Sequence, residues 1–309
     1  MKILVTGGAG FIGSNLAQKL VENGNDVIII DDLSTGYRSS LSGIDARFCH
    51  RSILDLDFLI EVSSDVDCII HLAAIPSVPR SIKFPLASHE ANVTGTLHVL
   101  EAARNSGAHV VLASSSSVYG SNPKLPKSEE MIPSPISPYA VSKLAAEHYA
   151  LSWQKSYGLE VLPFRFFNVF GPNQRAGHAY AAVIPAFLSN LKLQNPLIVF
   201  GDGSQSRDFT FVDDVTEILM RAAVTRVSSE SAVNLAFGSR VTLNELCGSL
   251  EQIHGQPLEI KFEAPRVGDV PHSQADTSLL QTMFGELTKT DFNKALLATH
   301  EWFMSGESE

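Results

Sequence analysis

Lys2-Ile3-Leu4-Val5-Thr6-Gly7-Gly8-Ala9-Gly10-Phe11-Ile12-Gly13 sets an apolar run, a glycine-rich turn and the start of a helical pattern side by side. The apolar run Ile3-Leu4-Val5 is bounded by glycines, the pattern of a buried parallel strand. After Gly10 the period becomes helical: Ile12, Leu16, Leu20 and Val21 share one face, the helix runs to about Asn23, and Gly24 fits a C-terminal stop. In a strand-turn-helix unit, Gly7 makes the tight turn and Gly10 lets a pyrophosphate approach the backbone. Gly13 lets the helix pack closely on its strand. The N–H groups and dipole at the helix start then hold phosphates.

Val27-Ile28-Ile29-Ile30 reads as a second buried strand ending at Asp31, 18 residues past Gly13. An acid there accepts hydrogen bonds from both hydroxyls of an adenosine ribose and repels a 2′-phosphate, so NAD is expected over NADP. Arg38, a residue able to hold a 2′-phosphate, lies farther along and has a competing acid. Ala46 to Cys49 reads as strand three, and Asp55 follows on a loop placed to reach the adenine. Asp67 to Ala74 is strand four running into a turn; small residues there, Ala73 and Ala74 after Leu72, let the backbone lie against a ligand. His71 reads as a packed strand-end residue. His89 to Gly107 reads as one long helix, on which Asn92 is either a surface polar group or an internal clamp. His109 to Ala113 is strand five. Strands alternating with helices give a parallel sheet with right-handed crossovers.

The 309 residues suit one large or two intimate domains. With 23 Lys and Arg against 33 Asp and Glu, the net charge is -10, a poor match for nucleic acid. Cys49, Cys68 and Cys247 have no paired spacing, which argues against a disulfide framework or a metal site. No signal peptide precedes the first strand, and no apolar run reaches the roughly 18 residues of a membrane span, so a cytoplasmic protein with no membrane partner is expected.

Strand five leads into Ser114-Ser115-Ser116-Ser117-Val118-Tyr119-Gly120, hydroxyls at the carboxyl end where open α/β sheets bind ligands. Ser137-Pro138-Tyr139-Ala140-Val141-Ser142-Lys143 then opens a helix with Ser137 as N-cap and Pro138 as its first residue. Tyr139 and Lys143, four apart, lie on one face. An ammonium beside a phenol favours the phenolate, lowering the phenol pKa from about 10 toward proton exchange with a substrate hydroxyl.

These motifs resemble the extended short-chain dehydrogenase/reductases, in the NAD-dependent epimerase/dehydratase group that acts on sugar nucleotides. The matching segments are Thr6 to Gly13, Asp31 to Gly36, His71 to Ala74, Ser115 to Gly120 and Tyr139 to Lys143. The resemblance implies a Rossmann-like doubly wound parallel sheet with a smaller C-terminal α/β lobe. Residues 1–167 would mainly bind NAD, and 168–309 would mainly bind the UDP-sugar, with segments returning to the sheet. It makes Ser115 the active-site serine, Tyr139 the acid/base, and Lys143 its partner and a ribose ligand. It adds Phe11, Ile12, Asp32, Ser34, Thr35 and Gly36 to the cofactor set, beside Asn92. A homodimer through helices near 89–107 and 138–157 is implied by analogy.

The family's 4,6-dehydratases carry an Asp-Glu pair just before the Val-Tyr-Gly, where this chain has Ser116 and Ser117. Serines cannot act as that acid/base pair, and the decarboxylating relatives usually keep a Glu, so C4 epimerisation is expected. By resemblance Asn168 holds a phosphate, Val183 and Phe200 flank the uracil, Arg207 and Arg266 clamp the diphosphate, and Asp269 contacts the nucleotide ribose. Ser77 and Ser81 are expected on the hexose. Ser273 leaves room for a 2-acetamido group. Arg175 keeps uronic acids open as an alternative, unless it is a solvent-facing loop charge.

Overall fold

The computed structural model describes residues 1–176, 182–265 and 270–306. β1 (Lys2–Thr6), β2 (Asp26–Asp31), β3 (Arg47–His50), β4 (Cys68–His71), β5 (His109–Ser115), β6 (Val161–Phe166) and β7 (Val233–Leu235) form one sheet, ordered β7-β6-β5-β4-β1-β2-β3. Every neighbouring pair is parallel. The order reverses between β1 and β4, and a crevice opens beyond the carboxyl ends at such a switch point. Thr6 is level with Ile30 and with His71, so Gly7, Asp31 and Leu72 leave the sheet along one rim.

Successive side chains of a strand point to opposite faces. Ile3 and Val5 pack with Leu16 and Leu20 of α1 (Phe11–Glu22). Leu4 packs on the other face with Val99 and Leu100 of α2 (Gly95–Ser106) and Ala146 and Ala150 of α3 (Pro138–Tyr157). Val215 and Leu219 of α4 (Val212–Val224) cover the first face beside α1. Because both faces are covered, the strands are continuously apolar instead of alternating.

The second half also builds a smaller lobe. Its helices Val183–Lys192, Leu243–His254 and Phe292–Met304 and the parallel pair Leu197–Phe200 and Ile260–Glu263 enclose Phe170, Phe187, Leu188, Phe209, Leu246 and Phe303. β7 comes from this half yet pairs with β6, so the chain crosses between the two bodies more than once.

One element expectation changes. The helix expected over 89–107 is an α-helical turn at Pro85–His89, a π-helical turn at Glu90–Thr94, and then α2. Asp213 sits in the first turn of α4, after Phe211 at the cap position, with a carboxylate 2.8 Å from Lys19 Nζ on α1. Among the described residues no helix is long and apolar enough to cross a membrane, and no cluster of His, Cys, Asp and Glu could hold a metal ion.

Candidate active site

Gly7 takes φ +71, and a Cβ there would stand 2.6 Å from the Ala73 amide nitrogen. A Cβ on Gly13 would run into the Gly7 carbonyl and come within 2.7 Å of Gly8 Cα. The turn therefore needs glycine at both positions. Gly10 caps α1 in an extended conformation with no side-chain acceptor, and the first turn of α1 carries no acid. Its opening amides, without intrahelical partners, are left for an anion.

Asp31 stands at the end of β2. Its Oδ2 accepts from Ala9 N–H at 3.0 Å and its Oδ1 from Leu33 N–H at 2.8 Å. Burial pushes the carboxyl above its ordinary range, and these two bonds pull it back. A Cβ on Gly36 would meet the Ala9 carbonyl carbon at 2.9 Å and Asp31 Oδ1 at 3.0 Å. Asp32 accepts from Ser34 N–H at 2.9 Å, and Thr35 is half-buried beside it. Phe11 and Ile12 form the first helical turn and are half-buried. Glycine turn, bare helix start and Asp31 share one rim, so the residues present fit a dinucleotide. Arg38 lies 4.0 Å over the Phe48 ring, a partner other than a 2′-phosphate. Asp55 is committed locally: it caps the helix Leu56–Val62 through Phe58 N–H at 3.2 Å.

The turn after β4 is held by a buried chain of hydrogen bonds. Asn92 is the internal clamp of the two alternatives: Oδ1 accepts from Ile75 N–H at 2.7 Å, and Nδ2 donates to Ile75 O at 3.2 Å and to Ser142 Oγ at 3.0 Å. Asn92 lies in the π-helical turn, a device often found at functional sites. Thr96 Oγ1 spends its proton on Asn92 O at 2.7 Å. His71 Nε2, 3.0 Å from that oxygen, is then the donor, and Nδ1 accepts from Thr6 Oγ1 at 2.7 Å. Burial, with Lys143 adding to it, pushes His71 down to about 3, so one neutral tautomer is locked. Thr6 Oγ1 in turn accepts from Ala73 N–H at 3.3 Å. Leu72, Ala73 and Ala74 thus lie on a rigid support.

Ser137 Oγ accepts from Ala140 N–H at 3.1 Å and starts α3. One turn apart on it are Tyr139 and Lys143. Ser115, the last residue of β5, stands beside the Tyr139 side chain, near enough to draw the phenol pKa down. Ser115 Oγ accepts from Ser117 N–H at 3.2 Å and Ser117 Oγ at 2.9 Å, which leaves its own proton to donate within the site. Ser116 follows, half-buried, in the same 3-10 turn. Buried Lys143 donates from Nζ to Ala113 O at 2.9 Å; burial pushes it down to about 8, and it keeps its proton at neutral pH. The phenol departs from expectation. Burial raises Tyr139 above its ordinary value, Ser115 works the other way, and the ammonium of Lys143 is committed to the strand carbonyl.

Ser81 also departs from expectation. It is wholly buried, donating to Val78 O at 2.7 Å and accepting from Tyr139 N–H at 3.0 Å, so it steadies the start of α3 instead of a hexose. Ser77, at φ +109, caps the helix Val78–Lys83 through Arg80 N–H at 3.3 Å. Sequence reasoning missed Glu147. It lies one further turn along α3, 1% exposed, and pairs with Arg165 of β6 (2.7 Å), while accepting from Ser114 Oγ at 2.8 Å. The spacing 139-143-147 was the available signal.

In the smaller lobe, Asn168 Nδ2 donates to Asp208 O at 3.3 Å. Arg207 Nη1 donates to the Ser206 and Pro271 carbonyls at 3.0 and 3.2 Å. Ser273 N–H donates to Ser206 O at 3.0 Å, and Val183 opens its helix against the lobe core. Phe200 lines a cavity of about 810 Å³ with Gln205, Phe262, Pro265, Val270 and His272. Arg266 and Asp269 lie outside the described residues. Lys127 N–H donates to Gln274 O at 2.7 Å and Asp276 N–H to Lys127 O at 2.8 Å, tying the loop after β5 to the Ser273 segment.

Residues 3–236 match the model of the NAD dependent epimerase/dehydratase family. The chain is 36% identical to a UDP-glucose 4-epimerase of Mycolicibacterium smegmatis, over 98% of each chain. A UDP-N-acetylglucosamine 4-epimerase from Methanobrevibacter ruminantium, solved with UDP-N-acetylmuramic acid, superposes with TM-score 0.94 at 36% identity, over 98% of each chain. A UDP-glucuronic acid 4-epimerase from Bacillus cereus, solved with UDP-glucuronic acid and NAD, gives TM-score 0.89 at 30% identity over 99% of each. Sheet, glycine turn and full-length similarity agree: the chain belongs to the NAD-dependent epimerase/dehydratase family of nucleotide-sugar enzymes, and NAD is its cofactor.

Proposed function

We propose that the chain is a UDP-hexose 4-epimerase, interconverting UDP-glucose with UDP-galactose and the matching N-acetylhexosamine pair through a transient 4-keto sugar. The observation that carries this is Ser115 set beside Tyr139, one helical turn before Lys143, and followed by two serines where a dehydrating acid pair would stand. Bound NAD supplies the hydride acceptor at C4 and then the hydride donor. Tyr139 takes the 4-hydroxyl proton and later returns it. Ser115 orients the phenol and the sugar oxygen, and Lys143 places a positive charge in the buried site. Asn168 and Arg207 serve the diphosphate, and Phe200 serves the uracil at the cavity it lines.

Arg175 gives no support to a uronic acid substrate: its Nη2 donates to Ser39 Oγ at 2.8 Å, on the cofactor side. Half-buried Ser273, on the segment against Ser206, supports a roomy pocket beside the sugar 2-position. Ser273→Tyr should lower kcat/KM for UDP-N-acetylglucosamine about tenfold relative to UDP-glucose, since crowding one small group is worth about 1–3 kcal/mol. An unchanged preference would show that Ser273 does not face that group. A homodimer through α2 and α3 accords with Val141, Tyr149 and Tyr157, which α3 leaves exposed. The free thiols of Cys49, Cys68 and Cys247 accord with a cytoplasmic setting.

The direct test is a proton NMR time course on UDP-glucose, UDP-N-acetylglucosamine and UDP-glucuronic acid with no cofactor added. Appearance of the C4 epimer of either of the first two is expected. Spectra that stay unchanged after NAD is supplied, or turnover of UDP-glucuronic acid alone, would overturn the proposal.

A further inference from the structure

Arg175 comes from the second half of the chain and ends on the cofactor side. Its guanidinium lies 4.3 Å over the Tyr37 ring, and Nη2 donates to Ser39 Oγ. Tyr37 is itself fixed to the phosphate turn, its N–H donating to Ala9 O at 2.9 Å. A second tie lies near the start of α1: Asn15 Nδ2 donates to Pro172 O at 3.0 Å and to Phe11 O at 2.8 Å. Between the two ties the backbone is braced. Gln174 N–H donates to Gly171 O at 3.3 Å, and its Nε2 donates to Val169 O at 3.1 Å. Asn173 turns the chain at φ +68, a conformation Asn tolerates better than most residues. Residues 171–175 therefore run as a strap past the opening of α1 to the loop after β2. The two anchors bracket the elements that fit the dinucleotide, the bare helix start and the loop beyond Asp31.

We propose that this strap, with Arg175 on Tyr37 as its catch, retains the dinucleotide between turnovers. The inference rests on NAD being held at the Gly7–Gly13 turn. A 4-epimerase returns the hydride it removes, so loss of the reduced cofactor in mid-cycle would strand a keto sugar. A catch that slows departure suits that chemistry. A cation over an aromatic face is worth about 0.5–2 kcal/mol, roughly two- to thirtyfold in a rate of departure.

The test loads the protein with radiolabelled NAD and follows its loss into an excess of unlabelled NAD. Arg175→Ala and Tyr37→Ala should each speed release roughly tenfold. The double variant should release no faster than Arg175→Ala alone, because Arg175→Ala already removes the contact that Tyr37→Ala removes. Ser39→Ala, a mild surface change, should speed release about two- to threefold. Release from Arg175→Ala within twofold of the wild-type rate would overturn the catch, as would a double variant whose effect is the product of the singles. A wild-type protein that binds no NAD would overturn the cofactor assignment, and the strap with it.

Discussion

Tyr139→Phe is expected to lose turnover by about 10²–10⁴-fold while NAD stays bound, because positioned proton transfer contributes on that order. The substitution keeps the ring and its packing and removes the phenol oxygen that meets Ser115. Ser115 remains oriented by Ser117, whose two bonds to Ser115 Oγ do not involve the phenol. Lys143 remains tied to Ala113 O, so the rest of the site has no reason to move. NMR turnover and the cofactor content of the purified variant read the two halves of the expectation separately. Activity within tenfold of wild type would show that another group moves the proton. The pH dependence follows from the same residue. Tyr139 must be deprotonated to take a proton, and burial holds its pKa above the ordinary value. Wild-type kcat/KM should therefore rise with pH through neutrality and fall steadily as pH is lowered from the ordinary phenol value of about 10.

The fold was legible because its decisive segment is local. Strand, turn and helix occupy Lys2 to Glu22, and each glycine answers a contact a few residues away or on the adjacent rim. The same holds for Ser137, Pro138 and the turn from Tyr139 to Lys143, where cap and spacing are written side by side. What the spacing could not show was which influence on the phenol is larger. It placed the ammonium near, while burial acts through the whole fold and goes the other way. Asn92 was ambiguous for a similar reason. A π-helical turn changes which face a residue presents, and its partners Ile75 and Ser142 are 17 and 50 residues away. Arg175 stands 136 residues from Ser39, so its loop position alone gave no sign of a partner on the cofactor side.

Glu147→Ala is expected to cost about 3–5 kcal/mol of stability, measured by urea unfolding, because it leaves the Arg165 charge buried without its partner. Glu147 is 1% exposed and Arg165 4%, joined by two bonds of 2.7 and 3.1 Å. The guanidinium also lies 4.8 Å over the Tyr119 ring, so its position is set from two sides. Glu147→Gln keeps the size but not the charge, and should cost nearly as much. The decisive comparison is the double variant Glu147→Leu with Arg165→Met. Replacing both charges with apolar groups of similar volume is often neutral or stabilising, so this variant should recover most of the lost stability. Turnover should not recover with it. Ser114, which donates to Glu147 Oε2 at 2.8 Å, immediately precedes Ser115, and Glu147 follows Lys143 by one helical turn. The carboxylate thus fixes the end of β5 against α3, the two elements that bring Ser115 to Tyr139. A stable double variant with full turnover would mean that packing alone sets this alignment. A stable double variant with turnover reduced tenfold or more would make the buried ion pair a positioning device for Ser115 and Tyr139.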